Sequence, residues 1–241
     1  MKLILNKSDF NDVLLGPVSK LSDNLVLEFA QDGQNTLAKT LVTSADNSVI
    51  LLGKVNCKAV DSFKCIIPDC KTFLRLFAGI EKENVTLDIN SNVICYKDSG
   101  LSFKYHLLDE SYVVNKKSIS EEKLNSLSFD TSFKMSKQKL SEIIKFNSIV
   151  PDAEKLYFVT EGSKVFAKLG DEQKSNTNEI VTEVNGVYEG KELPSTIPIN
   201  IQNILLFSFS TDEITVKINH QLKVFKFESP SLSYIVSGLV K

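Results

Sequence analysis

Apolar and polar residues alternate in short runs along most of this chain, and at four places the alternation gives way to helical spacing. Alternation with period two marks strands with one buried face; apolar residues at i, i+3 and i+4 mark one face of a helix. The run Asn24-Leu25-Val26-Leu27-Glu28-Phe29-Ala30-Gln31 is a strand of this kind, and Asp32-Gly33-Gln34-Asn35 is the turn that ends it. The pattern predicts strands near 2–5, 24–31, 36–44 and 48–57, then 63–67, 84–90, 93–98 and 101–108. A third set falls near 127–134, 155–160, 164–169 and 177–185, and a fourth near 195–199, 214–219, 222–228 and 232–240. Ser91-Asn92, Glu161-Gly162-Ser163 and His220-Gln221 supply short hairpin connections.

Each set carries one helical segment, always after its first strand. The first begins at Ser8 and gathers Phe10, Val13, Leu14, Pro17 and Val18 on one side, with Gly16-Pro17 expected to break or kink it. The second follows Pro68-Asp69 and presents Cys70, Phe73, Leu74 and Phe77. The third starts at Ser136, a good N-cap, and presents Leu140, Ile143 and Ile144. The fourth, near 200–207, presents Ile201, Ile204 and Leu205. The order strand–helix–strand–strand–strand therefore recurs four times, a repeat of elements rather than of residues. Two copies make an α+β domain of eight strands and two helices. This reading divides the chain into a first domain at 1–110, a polar connector at 111–126 and a second domain at 127–241.

Composition narrows the function classes. An apolar share of 42% supports a packed core, and no apolar run reaches the ~18 residues a membrane helix needs. The first residues are too weakly apolar for a signal peptide, so a cytoplasmic location is expected, the host's if the chain is viral. Cys57, Cys65, Cys70 and Cys95 lack C-x-x-C spacing and a nearby histidine, and read as small buried side chains in a reducing compartment. The two histidines, His106 and His220, have no nucleophile motif beside them, and no phosphate-cradling glycine pattern is present. A non-enzyme without cofactor or metal is expected.

The recurring unit, together with Ser44-Ala45-Asp46-Asn47-Ser48-Val49, Thr131-Ser132-Phe133-Lys134-Met135-Ser136 leading into Leu140-Ser141-Glu142-Ile143-Ile144, and Leu232-Ser233-Tyr234-Ile235-Val236-Ser237-Gly238, resembles the DNA polymerase sliding clamps over essentially the whole chain. The length is similar to that of the two-domain clamps that form trimers, and the Lys/Asn/Ser-rich composition looks like that of phage clamps. The resemblance implies a homotrimeric ring with sheets outside and helices lining a hole. Its expected partners are duplex DNA, a DNA polymerase and a clamp loader. It also implies that the strand near 101–108 pairs with the strand near 177–185 of a neighbour. Partner peptides would enter a pocket formed by Val49, Leu51, Tyr112, Val113, Val114, Ile235, Ser237 and Gly238. Where the family often has a bulky residue and a proline, this chain has Ala45 and Gly238, which leaves the partner peptide open.

Net charge is −2, unusual for a nucleic-acid binder, so what matters is segregation. Residues 134–149 carry Lys134, Lys137, Lys139 and Lys145 against Glu142, a net of +3. Residues 68–80 carry Lys71 and Arg75 against Asp69, a net of +1, whereas 5–21 and 198–208 sum to zero. On a helical wheel Lys71 and Arg75 lie opposite Phe73 and Phe77, and Lys145 lies opposite the Leu140/Ile143/Ile144 stripe. Lys71, Arg75, Lys137, Lys139 and Lys145, with Lys7 and Lys20 behind them, are the residues expected to face phosphates. An ordinary solvated helix face has the same composition, and a β-rich structural or virion protein or a monomeric open-surface processivity factor are the alternative readings.

Overall fold

The computed structural model describes residues 2–32, 35–59, 62–90, 92–109, 119–171, 178–193 and 197–239, and divides into two compact units, Met1–Glu121 and Glu122–Lys241. Unit 1 opens with β1 (Lys2–Asn6), whose Leu3 and Leu5 point into the core. Next come the helical turns α1 (Lys7–Asp9), a π stretch (Phe10–Leu15) and α2 (Gly16–Ser19). β2 (Leu25–Asp32), β3 (Asn35–Thr43) and β4 (Val49–Ala59) complete its first half. Its second half is β5 (Phe63–Ile67), α3 (Cys70–Ala78), β6 (Asn84–Asn90), β7 (Val93–Lys97) and β8 (Ser102–His106).

Pairing shows that the halves exchange their first strands. β1 pairs antiparallel with β6 of the second half, and β5 pairs with β2 of the first. The order runs β5-β2-β3-β4-β1-β6-β7-β8, and Ile66 of β5 bridges Leu108 just past β8. Neither half can bury its own apolar face without the other, so the unit is one domain.

Of the break or kink expected at Gly16-Pro17, no break occurs, and the helical turns continue through it in altered form. Proline has no N–H to give and its ring crowds the carbonyl four residues back. The helix widens instead: Gly16 donates its N–H to the Asn11 carbonyl, five residues back, and the next turn proceeds with Pro17 at its start. A Cβ at Gly16 would lie 2.9 Å from that carbonyl oxygen. Gly53 serves the same helix from the sheet, since a Cβ there would lie 2.8 Å from Leu14 Cδ2 and 2.9 Å from the Val13 carbonyl oxygen.

At the division stands α4 (Glu121–Asn125), which the alternation pattern did not predict. Unit 2 then contains β9 (Thr131–Ser136), α5 (Lys137–Ile149), β10 (Lys155–Glu161), β11 (Lys164–Leu169), β12 (Ile180–Asn185) and β13 (Glu189–Gly190). β14 (Ile199–Asn200), α6 (Ile201–Leu205), β15 (Glu213–Asn219), β16 (Val224–Glu228) and β17 (Leu232–Ser237) follow. The strand expected near 127–134 sits later, at 131–136, and the one near 195–199 shrinks to two residues. The exchange recurs: β9 pairs with β15, and β14 pairs with β10. The sheets run β13-β9-β15-β16-β17 and β12-β11-β10-β14.

One local arrangement repeats in all four halves. The residue before each helix caps it with a side-chain oxygen: Asn6 to Asp9 N (2.9 Å), Asp69 to Thr72 N (2.8 Å), Ser136 to Lys139 N (3.1 Å) and Asn200 to Gln202 N (2.9 Å). The first helical N–H then donates to a carbonyl in the other half of the same unit: Lys7 to Glu83, Cys70 to Asp23, Lys137 to Asp212 and Ile201 to Glu154, at 2.7–3.0 Å. Two of the orphan donors at each helix start are satisfied this way.

Candidate nucleic-acid interface

On α3 the period-3.6 pattern buries Cys70, Phe73 and Phe77 and leaves Lys71, Thr72 and Arg75 exposed. A shallow depression at the start of this helix is lined by Asp23, Pro68, Asp69, Lys71, Thr72 and Arg75. Within it Lys71 Nζ lies 3.2 Å from Asp23 Oδ1, and both side chains are mostly exposed (59% and 82%). Asp69 accepts from the Thr72 hydroxyl (2.6 Å) and backbone N–H (2.8 Å), and these bonds hold its carboxyl below the usual range. Arg75 has no ion-pair partner among the described residues and stands at the surface.

On α5 Leu140 and Ile143 are buried, and Lys137, Gln138, Ser141 and Lys145 are exposed. Lys139 is half-buried and turned inward, donating to Glu142 Oε2 (2.6 Å) and Thr182 Oγ1 of β12 (3.3 Å). Lys134, on β9, is paired with Glu213 at 2.7 Å, and that hydrogen bond raises its pKa. Lys7 donates to the carbonyls of Ala78 (3.0 Å) and Ile80, so its ammonium caps the C-terminal end of α3 rather than pointing to solvent. Lys20 is exposed at the end of α2. α6 offers Gln202 and no charge.

The seven cations thus divide. Among the described residues Lys20, Arg75, Lys137 and Lys145 are exposed without an ion-pair partner, whereas Lys7, Lys71 and Lys139 are engaged inside their own units. Glu142 stands three residues from Lys139 on one helix, a spacing visible in the sequence. Asp23 is 48 residues from Lys71, and nothing local marks the pair.

Of the expected pocket residues, Val49 and Leu51 are fully buried and Ile235 nearly so, each inside a run of consecutive buried residues on β4 and β17. Ser237 is exposed and Gly238 half-exposed, whereas Tyr112, Val113 and Val114 lie outside the described residues. The turn before Val49 is closed by Asp46, which accepts from Ser44 Oγ (2.6 Å), Ser48 Oγ (2.7 Å) and Ser48 N (3.1 Å). Those bonds, the one from Ser44 foremost, lower its pKa.

The cysteines are free thiols. Burial pushes Cys57 up to about 11 and Cys65 and Cys70 up to about 12, which removes thiolate reactivity at neutral pH. His220 Nε2 lies 3.0 Å from Thr131 Oγ1, and His106 is exposed on β8. Among the described residues no His, Cys, Asp or Glu cluster is arranged to hold a metal ion, and no helix is long and apolar enough to cross a membrane.

No protein-family model matches this chain, and no curated protein does. Its likeness to solved structures is extensive. An A. fulgidus PCNA bound to the C-terminal region of FEN-1 superposes with a TM-score of 0.77 at 12% identity, covering 100% of this chain and 98% of that one. PCNA from Thermococcus kodakaraensis gives 0.74 at 13% identity over 99% of both chains. A putative DNA polymerase III beta subunit from Eubacterium rectale gives 0.73 at 12% identity, covering 100% of this chain and 66% of that longer one.

Proposed function

We propose that this chain, whose fold is that of the sliding clamps, closes with copies of itself into a ring around duplex DNA and tethers a DNA polymerase to it. The observation that carries the proposal is the end-to-end correspondence with the A. fulgidus PCNA, at a TM-score of 0.77 with almost nothing left over in either chain. Exposed cations on α3 and α5 opposite the buried stripes support it. Few, solvent-separated phosphate contacts suit a protein that must slide, since they carry no sequence information. Retention then comes from closure, and the role is non-catalytic.

Ring closure needs two complementary edges. β8 ends the strand order of unit 1, and β12 is the edge of the four-stranded sheet of unit 2. Unpaired edges are liabilities unless another chain covers them. Val181 on β12 is 51% exposed, an apolar side chain suited to burial against a neighbour. Head-to-tail pairing of β8 with β12 of the next copy gives a closed trimer in this proposal. A polymerase and a clamp loader are the proposed partners, in the cytoplasm where replication proceeds.

Light scattering across concentrations tests the ring: three times 26.9 kDa is expected. The trimer should be retained on circular duplex DNA and slip from the same DNA after linearisation. A strict monomer at every concentration would overturn the self-closing ring and favour an open-surface processivity factor; equal loss from both DNAs would overturn encirclement.

A further inference from the structure

The residue whose carbonyl receives the first helical N–H is acidic in all four halves: Asp23, Glu83, Glu154 and Asp212. Acidic residues make up 30 of the 241, so four out of four is a feature of the arrangement and not of composition. Each stands just before the second strand of its half and is exposed. At two of the four starts the acidic side chain itself engages the helix, which favours negative charge at that end. At α1 this is direct, because Glu83 Oε1 accepts from Ser8 N at 3.1 Å. At α3 the acid reaches further, and Asp23 takes the ammonium of Lys71 at 3.2 Å.

We propose that Asp23 is a built-in counter-ion that competes with duplex phosphates for the cationic face of α3 and so keeps the DNA contact weak. This rests on the clamp reading above. The Asp69 carboxylate already occupies the Thr72 N–H, so the pull on a phosphate comes from the side chains of Lys71 and Arg75, and two cations free to grip it together would slow a ring that has to move. With Asp23 present, a phosphate approaching Lys71 must displace a carboxylate already paired. Arg75, one turn along, has no such partner among the described residues and carries the larger share of the contact.

The test is binding of a fluorescent linear duplex as a function of sodium chloride, with wild type, Asp23→Asn, Lys71→Gln, the double variant and Arg75→Gln. The Asp23→Asn substitution keeps the backbone carbonyl that Cys70 uses, so the helix start is preserved. Each added phosphate contact contributes about 0.9 to the log–log salt slope, so D23N should bind more tightly at low salt and lose about 3.5-fold more affinity than wild type between 50 and 200 mM. The gain should vanish in D23N/K71Q, and R75Q should weaken binding more than K71Q. If D23N matches wild type while R75Q weakens binding, the counter-ion proposal falls and the DNA-facing reading of α3 stands. A gain that persists in D23N/K71Q marks a general charge effect and also overturns the proposal. If neither wild type nor any variant, D23N included, binds the linear duplex, releasing Lys71 adds no phosphate contact and the counter-ion proposal falls, while retention on circular DNA decides the clamp reading separately.

Discussion

Phe10 and Phe77, from the two helical segments of unit 1, sit with ring centroids 5.2 Å apart, and Phe73 meets Phe77 at 5.9 Å and Tyr105 of β8 at 5.0 Å. In unit 2 the rings lie on strands and on the chain after α6: Phe133 meets Phe158 at 5.2 Å, and Phe207 meets Tyr234 at 4.3 Å and Phe227 at 4.9 Å. The helices of unit 2 bring aliphatic side chains instead, Leu140 and Ile143 on α5 and Ile201 and Ile204 on α6. One architecture is therefore filled in two ways. In unit 1 buried rings from both helical segments join the ring pairs of the strands, Phe29 with Phe63 and Tyr96 with Phe103; in unit 2 the ring contacts lie on strands and on the chain after α6, and a five-residue aliphatic helix suffices as a lid.

The sharpest way to break this comparison is to empty one helix in each unit. Phe73→Ala should cost about 3–5 kcal/mol, the range for removing a buried ring. Leu140→Ala should cost less, about 2–3 kcal/mol, because α5 keeps its other aliphatic contacts. Urea melts followed by circular dichroism give the order. A Leu140→Ala penalty above that of Phe73→Ala would show that the rings of α3 are not what holds its layer.

A tyrosine hydroxyl in each unit sharpens it further. Tyr105 accepts from Asp69 N (3.1 Å) and donates to Asp69 O (2.9 Å), tying β8 to the start of α3. Tyr234 does the same to Ser208, at 3.1 and 3.4 Å, tying β17 to the chain beyond α6. Tyr234 is fully buried, and burial pushes its pKa well up; Tyr105 is half-exposed and water can replace its hydroxyl. Tyr234→Phe should cost about 1–3 kcal/mol and Tyr105→Phe about 0.5–1. Equal melting shifts would contradict the difference in burial.

These pairs also mark what the sequence could and could not reveal. Alternation located the strands, because a half-buried strand writes its buried face into every second residue, as Val85, Leu87 and Ile89 do in β6. Helical spacing located Phe73 and Phe77 for the same reason. One N-cap, Ser136, was read from the sequence; Asn6, Asp69 and Asn200 cap their helices in the same way but were not singled out, and the first helix was expected to begin at Ser8. The fate of charges was not legible. Lys7 lies beside the apolar stripe on a wheel, but its chain is long enough to reach the carbonyls of Ala78 and Ile80, 71 and 73 residues away. Strand exchange decides such meetings, and no local period encodes it. α6 was legible as a short helical run near 200–207, but its end was not, since Leu206 and Phe207 continue the apolar pattern after the helix ends at Leu205.

A smaller effect separates two lysine pairs. Lys39 and Lys54 face each other directly across β3 and β4, and Glu121 bridges them at 3.8 and 2.7 Å. Lys217 and Lys226 face each other across β15 and β16, and Glu228, on β16 itself, bridges both. Like charges directly opposite are unfavourable without such a bridge. Burial alone would raise the pKa of Glu228, but hydrogen bonds from Lys217 and Lys226 outweigh it and the net direction is down. Glu228→Gln should cost about 1 kcal/mol and Glu121→Gln about 0.5 kcal/mol, the smaller value reflecting solvent screening of a more exposed site. Both penalties should shrink in 1 M salt, where the screening length falls to about 3 Å.

The smallest difference appears only in acid. The turn from β7 to β8 and the turn from β16 to β17 have the same shape: Asp98 N donates to Leu101 O at 2.9 Å, and Ser229 N to Leu232 O at 2.8 Å. In unit 1 the turn is completed by a carboxylate, since Asp98 accepts from Tyr96 Oη (2.5 Å), Leu101 N (2.8 Å) and Gly100 N (2.9 Å). The Tyr96 hydrogen bond, followed by the two amides, lowers the Asp98 pKa from 3.8 to about 2. A carboxyl with a depressed folded value contributes stability that is fully present above 3.8 and is lost as pH falls through about 2. Unit 2 has Ser229, which does not titrate, at the matching position. Amide exchange at Gly100 and Leu101 should therefore accelerate between pH 4 and 2, relative to the intrinsic rate, while that of Ser229, whose N–H donates to Leu232 O in the matching turn, should not change. Asp98→Asn should abolish that pH dependence, because the amide oxygen still accepts but carries no proton equilibrium. Parallel acceleration in both turns would mean that acid loosens the sheets generally, and that the carboxylate of unit 1 is not the element that distinguishes them.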